Sequence, residues 1–460
     1  MKDKDAIIEE LTRQVTILME RVAMLEKEVQ ILRDENARLK KNSDDSSKPP
    51  SSDQNKPARV AVRSKVKRKQ GGQPGHKKHS RQPFAPEEID KVVKHELKGK
   101  DAAGLEPLDD WYVIQQVTLP RKLYFVTEHR ARKYRNPLTN EIIIAPLPNE
   151  VTKGGLLGAN ITAMMAFLKG ECHTSFTTIQ SFFQEVIGLK ISRGLIAKKV
   201  AKVSAALGPA YDELLARLPQ EKVIGIDETG HKNNGKKHWI WCLQTPLYSL
   251  FHIDQSRGSK VLFDILGKDF DGLINCDFFG AYRKYFRLTE ATIQFCMAHL
   301  IREIKFLTKL TCETLKKWAK NLLGLIKEMF KARHNAEKFT PTGLRQKLER
   351  IKARFLDKVR QPPGKPAQNI SRRFCGDEME NYFRFITNPD IEPTNNGTER
   401  EIRHTVIDRR ITYGTRGGAG MRWCERIWTT IATCKKQKQN VFDFIHKSII
   451  AHWNGLDYPK

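Results

Sequence analysis

The amino-acid sequence predicts a multidomain α+β protein with an N-terminal parallel coiled coil, a small β-rich unit, a helical region and an α/β domain with a helical insertion. Two observations predict most of this fold class. A strict heptad repeat fills the first forty residues, and from residue 221 short apolar runs alternate with helical periodicity. A chain of 460 residues is too long for one core. We expect domains at 1–40, 41–85, 86–150, 151–218, 219–435 with an insertion at about 300–390, and 436–460.

The heptad repeat predicts a leucine-zipper-like homodimer. β-Branched residues at a with leucine at d favour two parallel strands, and Asn36 at the last a position fixes the register at a cost in stability. Opposite charges pair from g to e, as in Arg21 with Glu26. The alternative is an amphipathic helix packed on the protein's own body. The d positions of the seam are Leu11, Leu18, Leu25, Leu32 and Leu39.

The charge balance predicts a polyanionic partner. The formal net charge is +28 and the pI is near 9.7, which is typical of nucleic-acid-binding proteins. A Ser- and Pro-rich linker follows the zipper, and residues 58–81 then hold nine Lys or Arg and no acid. This arm either contacts DNA or is a solvated tether; it follows the zipper, unlike the basic region of a bZIP factor. Its candidate DNA contacts are Arg63, Lys67, Arg68, Lys69, Lys77 and Lys78.

The middle of the chain has two patterns. Residues 86–150 contain extended runs such as DWYVIQQVTL and KLYFVTEHRARKYR, which predict short strands. Residues 151–218 return to helical periodicity, with a turn at Gly188 and a Ser192 cap that opens a basic helix. This spacing is typical of a helix-turn-helix, and plain helical packing explains it about as well. In a helix-turn-helix, Arg193, Lys198 and Lys199 would contact DNA.

The region from 221 has the element order of a ribonuclease H-like sheet. Three strands (VIGID, HWIWCLQT, LYSLFHID) are followed by helix, strand (DGLINCD), helix and strand (TIQFC), and in such a sheet the first and fourth strands lie side by side. Asp227 and Asp277 end those two strands. Adjacent strands lie about 4.8 Å apart, so the two carboxylates would repel each other unless cations were bound. Oxygen ligands suit Mg²⁺ or Mn²⁺ rather than Zn²⁺.

Four segments resemble the catalytic motifs of insertion-sequence-66 family DDE transposases: VIGIDETGHKNNGKKHWIW, NCDFFGAYRKY, FCMAHL and NNGTEREIR. GGQPGHKKHSR and SSKPPSSD resemble that family's amino-terminal region. The resemblance implies that Asp227, Asp277 and Glu399 form a catalytic triad on a ribonuclease H-like domain, with a helical insertion before the third acid. It also implies two bound Mg²⁺ or Mn²⁺ ions, cleavage of transposon ends, and strand transfer into target DNA.

The surroundings of the third acid give further expectations. Asn395 or Asn396 can cap a helix that carries Glu399, and Arg400 and Arg403 could hold scissile phosphate oxygens. The alternative is an exposed helix pair of Glu399 with Arg403. The stretch DRRITYGTRGGAGMR suits close approach to a phosphate, and it is equally compatible with an ordinary flexible loop.

Several residues are expected to lie outside the metal chemistry. Many members of the family carry a cysteine-rich zinc ribbon, but residues 82–171 contain no cysteine, so no zinc is expected there. Cys296 and His299 supply only two ligands, which favours a structural role. Glu228 would point to the opposite side of its strand from Asp227, and neither it nor Asp271 is expected to bind metal.

The function expected is that of a transposase, acting as a homodimer on transposon ends and target DNA, with accessory proteins of the same element as further partners. The alternatives are a DNA-binding regulator without cleavage and a metal-dependent nuclease without strand transfer. The sequence has no secretory signal and no apolar run long enough for a membrane span, so we expect a bacterial cytoplasmic, nucleoid-associated protein. The eight cysteines include no CxxC pair and are expected to be reduced.

Overall fold

The computed structural model describes residues 2–41, 82–97, 105–106 and 108–459. The chain divides into two compact units, one formed by Met1–Lys56 with His129–Lys460 and the other by Pro57–Glu128. The six candidate DNA contacts of the basic arm, from Arg63 to Lys78, lie outside the described residues. No helix in the described part of the chain combines the length and apolar character needed to cross a bilayer.

The first helix, α1 (Lys2–Leu39), follows the predicted heptads and leaves their seam open. Its d leucines from Leu11 to Leu32 are 55–59% exposed, and Asn36 is exposed as well. The end of α1 meets the body of its unit. There, Thr311 N donates to Asp34 Oδ1 at 2.8 Å, and Ala37 packs against the main core. The last turns of α1 thus pack on the protein's own body, and the coiled coil remains a prediction for the exposed seam.

The predicted β-rich unit at 86–150 is mostly irregular. Its only paired strands among the described residues are β1 (Lys133–Arg135) and β2 (Ile142–Ile144), an antiparallel hairpin, and a single 3₁₀ turn spans Pro86–Glu88. The run DWYVIQQVTL has no regular secondary structure, and its apolar side chains are exposed. The boundary at Glu128 also divides this region between the two compact units.

The helical region contains the predicted turn and cap. Its helices are α2 (Asn149–Gly154), α3 (Ala159–Gly170), α4 (Phe176–Phe182), α5 (Arg193–Ala206) and α6 (Gly208–Arg217). A π-helical turn, Phe183–Ile187, ends at Gly188, whose φ of 79° is readily accessible to glycine. Ser192 Oγ then accepts a hydrogen bond from Leu195 N at 3.2 Å, which confirms the cap that opens α5.

The sheet has five strands: β3 (Val223–Asn233), β4 (Lys236–Gln244), β5 (Ser249–Asp254), β6 (Leu273–Cys276) and β7 (Thr292–Phe295). Their order is β5-β4-β3-β6-β7. The first three strands pair antiparallel, while β3 with β6 and β6 with β7 pair parallel. The prediction that the first and fourth strands of this region lie side by side is therefore confirmed.

Both faces of the sheet are covered, because successive side chains of a strand point to opposite faces. Trp241 and Leu243 belong to one core, which includes the insertion helices. Ile240 and Cys242 belong to a second core. The second core also contains residues of α3 and α5 and of the C-terminal helices α14 (Asn396–Thr412), α15 (Gly418–Lys436) and α16 (Val441–Asn454). The second core therefore contains residues from both sides of positions 218 and 435.

The remaining helices connect the strands and form the insertion. α7 (Lys260–Leu266) and α8 (Gly280–Phe286) lie between strands. The residues predicted to form a helical insertion, at about 300–390, are mostly helical, with α9 (Met297–Leu307), α10 (Glu313–His334), α11 (Pro341–Val359), α12 (Lys365–Ser371) and α13 (Arg384–Thr387). Short 3₁₀ segments are Leu218–Gln220, Ala336–Lys338, Arg372–Phe374 and Asp377–Tyr382.

Candidate active site

Strand register brings the two aspartates together. Gly225 of β3 pairs with Asn275 of β6 in parallel register, so two residues further on Asp227 stands opposite Asp277. Neighbouring strands are about 4.8 Å apart. Asp277 follows the last residue of β6, as predicted, but Asp227 does not end its strand. β3 continues for six residues beyond Asp227, because its antiparallel hairpin with β4 extends past the parallel part of the sheet.

The third acid reaches this edge because the segment before α14 is hydrogen-bonded to it. Asn275 Nδ2 donates to Glu392 O at 2.8 Å, and Asn395 Nδ2 donates to Ile226 O at 2.8 Å. Asn395 stands at the N-cap but does not cap α14 through its side chain; its Oδ1 accepts from Thr398 Oγ1 instead. The predicted cap is therefore replaced by a link between helix and strand, and Glu399 lies in the first turn of α14.

Gly225 permits this close approach. A Cβ atom at this position would lie 2.4 Å from Thr398 Oγ1 and 3.0 Å from Asn395 Oδ1. Both atoms belong to buried side chains at the start of α14. Any larger residue would push the helix, and with it Glu399, away from the two aspartates.

The electrostatics of the edge are those of crowded acids. Burial raises the pKa of Asp227 well above its usual range, and the charges of Glu228, Asp277 and Glu399 raise it further. Burial likewise raises the pKa of Asp277 to about 8, with contributions from Glu228 and Glu399. Asp277 Oδ1 is buried and has no hydrogen-bond partner among the described residues. The charge of Arg257 and a hydrogen bond from the Phe279 backbone act in the opposite direction on Asp277 without cancelling the rise in its pKa.

Glu228 is a neighbour of the site whose importance was missed in the sequence. It is only 2% exposed. Its Oε1 accepts from Arg257 Nε at 2.8 Å and Nη2 at 2.6 Å, and its Oε2 accepts from the Tyr282 hydroxyl. Its charge has the largest charge effect on the pKa of both aspartates. Both oxygens of Glu228 thus have hydrogen-bond partners within the protein. The exposed Asp271 stands apart from this set.

Glu399 pairs with a residue that sequence reasoning also missed. Arg302 Nη2 donates to Glu399 Oε2 at 3.0 Å and to Oε1 at 3.3 Å. The expected alternative partner, Arg403, is exposed on α14. Arg302 follows His299 by three residues on α9, and His299 follows Cys296 by three, so a three-residue spacing was the available signal for one helix face.

Two donor sets could therefore hold metal ions. The carboxylates of Asp227, Asp277 and Glu399 offer oxygen ligands, and the raised pKa values and the unpartnered Asp277 Oδ1 fit a divalent cation of the Mg²⁺ class. In addition, ligand atoms of Cys296, His299 and Glu399 all lie within 4.8 Å of one another. No other group of three His, Cys, Asp or Glu side chains within the described ranges meets that spacing.

The predicted DNA contacts outside the arm divide by exposure. Arg193, Lys198, Arg400 and Arg403 are exposed. Lys199 is 4% exposed, and its ammonium donates to Leu157 O at 3.0 Å and to Gly154 O. The prediction that Lys199 contacts DNA is therefore wrong for this structure, because its helix turns this side chain into the second core.

The glycine- and arginine-rich stretch is fastened to the tip of the β3–β4 hairpin. Thr415 N donates to Lys232 O and Asn234 N donates to Thr415 O, both at 2.9 Å. Gly417 N donates to Asn233 Oδ1 at 2.8 Å. Gly414 has a φ of 110°, and a Cβ there would meet the Lys232 carbonyl oxygen. These bonds argue against the alternative of an ordinary flexible loop.

Comparison with known proteins identifies relatives of both parts of the chain. Residues 2–82 match a family of unknown function, DUF6444. An uncharacterized protein of Sinorhizobium fredii, y4qI, is 24% identical over 433 residues, covering 84% of this chain and 77% of its own length. The family described as Transposase IS66 matches residues 154–422. That match exceeds half of the chain and includes the sheet and all three acids, so the chain belongs to the IS66 transposase family.

Proposed function

We propose that this protein is a transposase that binds the ends of an insertion sequence and catalyses metal-dependent DNA cleavage and strand transfer through Asp227, Asp277 and Glu399. One observation carries the proposal. Three acids from separate segments converge on one sheet edge, where burial and mutual repulsion raise the pKa values of both aspartates. The domain that carries them is inferred to be ribonuclease H-like, which the β5-β4-β3-β6-β7 order supports.

The three carboxylates are the groups that would hold two Mg²⁺ or Mn²⁺ ions. When bound, such a pair of ions supplies activation of the attacking oxygen and stabilisation of the leaving oxygen in an in-line displacement. Register fixes the aspartates opposite each other, while the hydrogen bonds of Asn275 and Asn395 hold the start of α14 against the strands. The chain's own contribution is thus to position the acids before DNA arrives.

Charged neighbours orient these acids. Arg302 binds both oxygens of Glu399, which limits the directions that its carboxylate can take. Arg257 is enclosed by Trp239 and Phe279, with ring centroids 4.6 Å and 4.0 Å from its guanidinium carbon, and it holds Glu228 beside the aspartates. Exposed Arg400 and Arg403 follow on α14 and are suited to phosphate oxygens near the acids.

DNA binding and assembly follow from other surfaces. Arg193 and Lys198 lie exposed on the helix that Ser192 opens, and the net charge of +28 favours a polyanion. The exposed seam of α1 fits a second copy of itself, because its a and d positions and its g-to-e charges match across a parallel pair. Two protomers would then hold two DNA ends at once.

The experiment is a strand-transfer assay with Mg²⁺ on the DNA ends that flank the gene. It compares the native chain with Asp227→Asn, Asp277→Asn and Glu399→Gln. Asp271→Asn is the matched control, because this acid is exposed and lies outside the site. We expect joined products from the native chain and the control only, with DNA binding retained in all variants.

The other outcomes separate the competing functions. Cut but unjoined ends would favour a nuclease. Bound and intact DNA would favour a regulator without cleavage, unless an accessory protein of the element restores joining. Native activity in a triad variant would remove that residue from the site.

A further inference from the structure

Cys296 and His299 acquire a third possible ligand only in the folded chain. Cys296 stands at the N-cap of α9, one turn before His299, and both are buried, at 2% and 7% exposure. Glu399 comes from α14, about a hundred residues later in the sequence. The two helices meet at their N-terminal ends, where Asn395 N donates to Cys296 Sγ at 3.1 Å.

We infer that Cys296, His299 and Glu399 form a binding site for a transition-metal ion of the Zn²⁺ class, which does not use the two aspartates and shares only Glu399 with the proposed catalytic triad. Their ligand atoms lie within 4.8 Å of one another, and one pair, His299 Nε2 and Glu399 Oε1, is already 3.7 Å apart. Ligand atoms of a tetrahedral zinc site lie about 3.4 Å apart, since Zn–N and Zn–O bonds are about 2 Å. Only small side-chain movements are therefore needed.

The donor types select the ion. A thiolate, an imidazole and a carboxylate suit Zn²⁺ or Co²⁺, whereas Mg²⁺ prefers oxygen ligands alone. Three protein ligands leave one position open, and the Glu399 side chain is 21% exposed, so that position has access from solvent. The site thus differs in chemistry from the aspartate pair, although Glu399 stands beside both.

The nitrogen of His299 that faces Glu399 is Nε2. Its distance of 3.7 Å to Glu399 Oε1 exceeds that of a hydrogen bond, so no hydrogen bond between these two atoms has to be broken for an ion to bind between them. Arg302 does not block the site, because a carboxylate has about four lone-pair positions.

The test is a Co²⁺ titration of the purified, metal-free full-length protein, followed by absorption spectroscopy. We expect one Co²⁺ per chain with tetrahedral ligand-field bands and a sulfur-to-cobalt charge-transfer band, and displacement by Zn²⁺. Cys296→Ser should lose the charge-transfer band, and His299→Gln should weaken binding about 100-fold. Cys312→Ser is the matched control, because this cysteine is exposed and its spectrum should equal that of the native chain.

Two results would overturn the inference: a native spectrum without the charge-transfer band, or a band that persists in Cys296→Ser. Circular dichroism of each variant checks the fold, and His299→Gln decides the question if the serine variant does not fold. The inference does not depend on the proposed strand transfer. Asp227→Asn and Asp277→Asn should keep the cobalt spectrum whether or not they retain activity, so failure of one proposal leaves the other standing.

Discussion

The acidic sheet edge and the first helix break the usual rule of burial in opposite directions. At the edge, carboxylates are enclosed by protein, and the pKa values of two aspartates rise. Along α1, leucine side chains remain more than half exposed. Buried charges need a counter-charge, and exposed apolar stripes need an apolar cover. Each region therefore suits the partner proposed for it: cations at the edge and a second amphipathic helix along α1.

The largest expected effect is the loss of strand transfer when an acid of the sheet edge is replaced. Asp277→Asn removes a proposed cation ligand, so we expect strand transfer with Mg²⁺ to fall by about 1000-fold, equivalent to several kcal/mol of transition-state stabilisation. Single-turnover kinetics on pre-bound DNA ends measures the effect on the chemical step. A fall below tenfold would show that Asp277 is not a ligand in the reaction.

The second prediction concerns the apolar seam of α1, from which two leucine side chains are removed. Replacing Leu18 and Leu25 together with alanine should weaken the dimer at least about 100-fold, because each large-to-small change in a packed seam costs about 2–5 kcal/mol. Sedimentation velocity over a concentration series measures this change. The matched control is Met24→Ala with Ile31→Ala, because both residues are apolar and exposed but occupy c positions of the heptad. Equal weakening by the control pair would contradict a coiled-coil seam.

The raised pKa of Asp277 predicts how the stability of the protein depends on pH. The folded-state pKa of Asp277, about 8, lies above its value in an unfolded chain, near 4. The folded state therefore binds an extra proton between these values, and stability without metal should fall as the pH rises from about 4 to about 8. Thermal unfolding in chelator should show this decline for the native chain and a smaller one for Asp277→Asn.

Adding the ion should reverse that decline. Mg²⁺ at about 100 times its Kd should stabilise the native chain by about 3 kcal/mol near pH 8. The gain should be smaller near pH 6, because ligands must lose protons to bind metal. Asp277→Asn provides the comparison in the same calorimetric experiment. An equal gain in this variant would indicate that the ion binds elsewhere.

The smallest expected effects come from two neighbouring lysines of α5, of which Lys198 is exposed and Lys199 is buried. Lys198→Ala removes an exposed charge, so DNA affinity should fall a few-fold and the salt slope should decrease by about 1. Lys199→Ala removes a buried donor to two carbonyls, so stability should fall by about 1–3 kcal/mol with unchanged DNA affinity. Fluorescence anisotropy and denaturant unfolding measure the two quantities. The opposite assignment would restore Lys199 as a DNA contact.

Local patterns in the sequence predicted the features of the fold that depend on nearby residues or on strand order. The heptad repeat predicted α1, and the Ser192 cap predicted the start of α5. The order of the strands predicted that Asp227 and Asp277 lie on neighbouring strands. These features depend on residues a few positions apart, or on the few topologies that short connections allow.

The rest depends on contacts between distant segments. Arg302 reaches Glu399 across 97 residues, and Glu228 acquires Arg257 and Tyr282 through packing. The burial of Lys199 and the continuation of β3 past Asp227 also arise from tertiary structure, which periodicity does not encode. The third possible ligand beside Cys296 and His299 likewise lies on another helix.

The fastening of the end of α1 has a geometric consequence. Asp34 accepts from Thr311, and the Lys41 ammonium lies 4.5 Å from the centre of the Phe306 ring, so the helix leaves the body in a set direction. A parallel pair of such helices would have a two-fold axis along the coiled coil. The bodies of the two protomers would then be related by the same axis. The angle between α1 and the body of its own protomer would then determine the distance between the two proposed active sites, and so the distance between the two sites of cleavage on DNA.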